Sequence, residues 1–159
     1  MLAFVRDYWL AKRGSRTMPG RLDISPAQLK SQLPHILLID VIDGGADFRY
    51  RLTGTQLRPF FPNDPVGKLM SQAIEPFGAA SVEATLATYR AVIRKREPMR
   101  VTGSGAWFAQ NPKYFDAMLA PLSDDGETVN MIFGAFLFDW DSEGLYQPGL
   151  GQIFSLMTR

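Results

Sequence analysis

With 159 residues, 46% of them hydrophobic and 21% charged, the chain has the size and composition of one globular domain with a short appendage. Seventeen basic and sixteen acidic side chains leave a formal charge of +1, too small to argue for nucleic acid as a partner. There is no cysteine and only one histidine, His35. Disulfides, thiol nucleophiles, iron–sulfur clusters and multi-histidine metal sites within one chain are therefore excluded.

The segment from Met1 to Arg13 reads as a helix, because Leu2, Val5 and Trp9 recur at helical spacing and Phe4, Tyr8 and Ala11 widen the stripe. Lys12 and Arg13 suit its C-terminus and Gly14 ends it. Charges among its apolar residues rule out a signal-peptide core. The apolar runs Ile36–Ile42 and Met131–Phe138 fall far short of the roughly 20 residues of a membrane-spanning helix. A soluble cytoplasmic protein, with no membrane partner, is expected.

Met18-Pro19-Gly20 is a turn, and Ser25-Pro26 predicts a short helix from Ala27 to about Gln32 that Pro34 closes. His35 to Val41 then predicts a strand, Asp43-Gly44-Gly45 a turn, and Phe48 to Leu52 a second strand. Alternation points Phe48, Tyr50 and Leu52 at the core and Arg49 and Arg51 away from it. Four breakers, Pro59, Pro62, Pro65 and Gly67, make the stretch from Gly54 to Ile74 irregular. Ala79, Val82, Leu86, Tyr89 and Ile93 predict the long helix, which Pro98 stops.

Three strands follow: Met99 to Ala106, Tyr114 to Leu122, and, after the turn Ser123-Asp124-Asp125-Gly126, Val129 to Phe138. The last is apolar on both faces, so both should be covered. The predicted organisation is a helix at 1–14, a domain at 15–140 and a flexible tail at 141–159. Two strands cannot make a stable sheet alone, so the five together predict an α+β fold. It is a five-stranded antiparallel sheet with helices on one face and an N-terminal helix.

In this order of elements the chain resembles the PAS fold, and more specifically a bacterial family of stand-alone PAS-like domains. The residues that carry the resemblance are Tyr8-Trp9, Met18-Pro19 with Arg21, Asp23 and Pro26, and Leu33-Pro34-His35. They continue with Phe48 to Leu52, Gly54-Thr55, Gly67-Lys68, Pro121-Leu122-Ser123 and Asp125-Gly126. The resemblance implies a non-catalytic sensory or regulatory module that binds a small ligand, a protein partner, or both, with no resident cofactor.

The residues also allow other chemistries to be weighed. His35 could act as a base or metal ligand, yet it stands just after Pro34 at a strand start, without a nucleophile elbow elsewhere in the chain. Gly103-Ser104-Gly105 lacks the following helix of a phosphate loop and reads as a close backbone approach within a strand. Asp40 and Asp116 interrupt apolar strands, and an acid–base pair of this kind would suit a cone-type isomerase or dehydratase. The basic residues Arg90, Arg94, Lys95, Arg96 and Arg100, with Arg49 and Arg51, are most simply helix-dipole complements and a solvated sheet face.

Eleven Phe, three Trp and five Tyr can pack a core or wall a pocket between helix and sheet. If there is a pocket, Tyr50, Leu52, Tyr89, Trp107, Phe115 and Leu119 are its expected wall. A filled interior would instead make the chain an interaction or scaffold domain. Because the one domain uses nearly every residue, output is expected to pass through an unidentified signalling protein or a second copy. The apolar band of the first helix can be covered by its own domain or, in a homodimer through Leu2, Val5, Tyr8 and Trp9, by a second copy.

Overall fold

A computed structural model describes residues 1–105, 108–109, 112, 114–139 and 153–155. Helix α1 spans Leu2–Arg13, followed by strands β1 (Ile36–Ile42) and β2 (Asp47–Thr53). A short helix α2 (Met70–Ile74) and the long helix α3 (Ala79–Lys95) come next. Strands β3 (Met99–Ser104), β4 (Tyr114–Leu122), β5 (Met131–Asp139) and β6 (Ile153–Ser155) complete the order. The sheet is antiparallel and runs β2-β1-β5-β4-β3-β6.

The five expected strands are all present. A sixth is added by three residues of the predicted tail, which pair with the edge of β3. The other sheet edge is also covered: Tyr50 donates its N–H to Lys68 O (3.1 Å) and Gly67 donates to Tyr50 O (2.7 Å).

The predicted helix from Ala27 to Gln32 is a run of turns instead. Gln28 N–H to Ser25 O, Leu29 N–H to Pro26 O and Gln32 N–H to Leu29 O are all three-residue closures. The segment is confined between Pro26 and Pro34, and a helix this short does not recover the cost of its nucleus.

Met131 to Phe136 of β5 are all buried, so both faces of the sheet centre are covered, as its apolar run predicts. The inner face lies under α3 and the outer face under α1. Val5 and Trp9 are fully buried and Leu2 nearly so, in one core with Met118, Phe133 and Ala135. Trp9 donates its indole N–H to Pro121 O at 2.7 Å, which fixes the helix on β4. Three of the residues expected at a dimer interface are thus covered by their own sheet. Leu2, Val5 and Trp9 pack within their own chain because the outer face of β4 and β5 is as apolar as the helix stripe. Tyr8 is half-buried, and its hydroxyl accepts the Ser25 N–H at 2.8 Å.

The loops dock in pairs. Ser123 donates its N–H to Pro19 O (2.9 Å), and Arg21 N–H reaches Asp124 Oδ1 (3.1 Å). Asp125 accepts from the Thr128 and Glu127 N–H groups and from the Ser123 hydroxyl, which holds its carboxyl well below the usual range. At Gly54 a side chain would overlap the carbonyl oxygens of Pro34 and Leu33, so the crossing requires glycine.

Because Trp9 is buried to 0% exposure, Trp9→Ala is expected to lower unfolding free energy by about 3–5 kcal/mol in urea titrations. Leu10→Ala, at an exposed position of the same helix, should change it by less than about 0.5 kcal/mol. Equal small effects at both positions would show that α1 is not part of the core.

Candidate ligand pocket

Between the inner sheet face and α3 lies a cavity of about 370 Å³. Its floor comes from alternate positions of the strands: Leu37 on β1, Tyr50 on β2, Val101 and Gly103 on β3, Phe115 and Leu119 on β4, Phe136 and Phe138 on β5. Helix α3 roofs it with Ala84, Thr85, Thr88 and Tyr89, and the irregular stretch closes it with Leu57, Phe61 and Ile74. Space of this size is enough for a small organic molecule.

Four of the expected wall residues, Tyr50, Tyr89, Phe115 and Leu119, surround this cavity. Leu52 does not. The pairing of β1 with β2 passes from Leu38–Leu52 to Ile39–Tyr50, so Arg51 is an extra residue in β2. This bulge inverts the alternation beyond it, leaving Leu52 39% exposed and turning Thr53 inward to 3% exposure. Trp107 lies outside the described residues.

The aromatic wall is ordered by ring contacts. Tyr50 meets Phe61 edge-on at 5.2 Å, Phe108 meets Phe115 at 5.5 Å, and Phe115 stacks on Phe136 at 6.0 Å. Gly103 stands opposite Phe115 in the β3–β4 pairing, and a Cβ on it would lie 2.7 Å from the Phe115 ring. Its glycine is thus the close approach that the sequence suggests, with the ring laid across the bare backbone. Phe61, Thr85, Thr88, Phe136 and Phe138 are wall residues that sequence reasoning missed. Strand β5 is apolar on both faces, so its pattern alone did not single out Phe136 and Phe138.

The polar side chains of the described wall, Tyr50, Thr85, Thr88, Tyr89, Thr102 and Ser104, all carry hydroxyls. Thr85 and Thr88 donate theirs to the carbonyls of Ser81 (2.8 Å) and Ala84 (2.9 Å) one helical turn back. Burial pushes the Tyr89 phenol well above its ordinary pKa. Burial does the same at Tyr50, and the nearby Tyr89 phenol and Asp47 carboxylate add to the rise. Both phenols are therefore neutral at physiological pH.

The other candidate residues stand elsewhere. His35 ends a 3₁₀ turn, Leu33–His35, at the start of β1, and is not part of the wall. Asp40 faces away from the cavity and pairs with Arg51 at 3.1 Å. Asp116 accepts both guanidinium nitrogens of Arg100, at 2.9 and 2.6 Å, on the outer face. Arg90 bonds the carbonyls of Gly45 and Ala46, so this cation is engaged within the chain. Among the described residues, no three His, Asp or Glu side chains come together as a metal site. No helix among them is long and apolar enough to cross a membrane.

The raised phenols couple stability to alkaline pH. In the unfolded chain tyrosine ionises near pH 10, while in the fold both phenols keep their protons. Above about pH 10 the unfolded state binds fewer protons, so stability falls with rising pH by up to about 1.4 kcal/mol per unit for each phenol. Tyr89→Phe removes one contribution. Its stability should fall less steeply than that of the wild type between about pH 10 and 11.5 in urea titrations. Parallel slopes would contradict the raised phenol.

A family model described as PAS domain matches residues 2–137, from α1 to β5. No match is found among curated proteins or among solved structures. The matched span takes in β1 to β4, β5 up to Leu137, α3 and all of the described cavity wall except Phe138. The chain belongs to the PAS domain family.

Proposed function

We propose that this chain is a sensory or regulatory module that holds a small, mainly apolar molecule in the cavity and signals its presence to a protein partner. The observation that carries this reading is the 370 Å³ space lined by aromatic and aliphatic side chains inside a PAS domain. A filled-core scaffold of the same fold would have no use for such a space.

The module is read as non-catalytic. Among the described residues, the wall contains no carboxylate, imidazole, amine or guanidinium that could move a proton. A cone-type isomerase or dehydratase would need Asp40 or His35 in that wall, and both stand outside it. Membership of the family supports a sensory role, and the cavity supports its ligand-binding form.

Native mass spectrometry of the purified protein, followed by denaturing extraction, tests this reading. The expected result is a small-molecule adduct that denaturation releases. A bare polypeptide mass, together with no rise in melting temperature across a panel of apolar fragments, would contradict it.

A further inference from the structure

Two residues of the cavity wall carry phenol hydroxyls. Tyr50 and Tyr89 are 2% and 4% exposed, and both line the cavity. Neither hydroxyl has a hydrogen-bond partner among the described residues. Among the described residues the fully buried side-chain atoms without a partner are Arg13 Nε and Thr53 Oγ1; the two phenol oxygens keep accessible surface, which a molecule in the cavity can meet. The two lie on different elements, β2 and α3, and both reach the same space.

The remaining chemistry of the wall restricts what could satisfy them. Thr85 and Thr88 have given their protons to helix carbonyls, so they offer only lone pairs. The phenols are therefore the side-chain donors on these two elements, and burial keeps them protonated. An ionised ligand would lose its hydration with no opposite charge in the described wall to replace it. At the roughly 0.5–0.6 packing of an organic liquid, 370 Å³ takes a molecule of about 200 Å³, the size of a two-ring aromatic compound. Phe61, Phe115 and Phe136 offer such rings their edges and faces.

Building on the proposed ligand-binding role, we infer that the cavity selects an uncharged aromatic carbonyl compound, whose oxygen accepts hydrogen bonds from the Tyr50 and Tyr89 hydroxyls. The acceptor end sits at the phenols and the rings lie along the phenylalanine wall. Neutral hydrocarbons of the same shape fit the space but leave the donors open.

Isothermal titration calorimetry at pH 8 tests this with 2-acetylnaphthalene, its hydrocarbon counterpart 2-isopropenylnaphthalene, and 2-naphthoate. In the wild type the ketone is expected to bind at least about tenfold more tightly than the naphthoate, whose charge has no partner. Tyr50→Phe and Tyr89→Phe should each weaken ketone binding by about fivefold and leave hydrocarbon binding within about twofold of wild type. Hydrocarbon binding also reports that each variant keeps its cavity; should one variant lose it, the other decides. Unchanged ketone affinity in a variant that still binds the hydrocarbon would overturn the inference, as would preferred binding of naphthoate, and either result leaves a ligand cavity standing. Failure of all three compounds to bind the wild type would overturn the ligand-binding role as well.

Discussion

The interior of this protein depends on where α3 is held. Arg90 donates to the carbonyl oxygens of Gly45 at 2.8 Å and Ala46 at 3.2 Å, tying the helix to the turn between β1 and β2. Tyr89, one residue earlier, packs on Phe48 of β2 at 5.3 Å. The helix is thus fixed at one side of the sheet. Over the rest of the sheet it presents Ala84, Thr85 and Thr88, which are too short to reach the strands beneath. A cavity follows from this combination of a fixed helix and small side chains. Leucines at the same positions would fill it, since interiors otherwise pack to crystal density.

The two faces of the sheet therefore do different work. The outer face is closed by α1, with Trp9 inserted and hydrogen-bonded to Pro121 O. That closure covers the apolar outer side of β4 and β5 opposite the inner wall. The inner face is only partly filled and carries two neutral phenols among its aromatic rings.

Much of this was legible in the chain. The run Tyr114–Leu122 predicts β4 to the residue, and Ala79–Lys95 predicts α3, because strict periodicities leave little choice of element. The short motif pieces also acquire a physical meaning, since they meet in pairs: Leu33-Pro34 against Gly54, Pro19 against Ser123, Gly67-Lys68 against Tyr50. What was not legible has identifiable causes. A bulge adds one residue without a compositional mark, so Arg51 inverts Leu52 unannounced. An amphipathic stripe says that a helix will be covered but not by what, and here the outer sheet face covers α1. The pairing of Ile153–Ser155 with β3 follows from an open sheet edge, which no local pattern in a glycine-rich tail reveals.

The central claim is that α3 and the sheet enclose an unfilled, mainly apolar space bounded by Tyr50, Tyr89 and Phe115. Xenon enters such spaces without needing a hydrogen bond. Diffraction from crystals pressurised with xenon tests the claim directly. The account predicts a xenon peak between α3 and β4, within contact distance of the Tyr89 and Phe115 rings. Xenon absent from that site, with the aromatic side chains packed against α3, would contradict it.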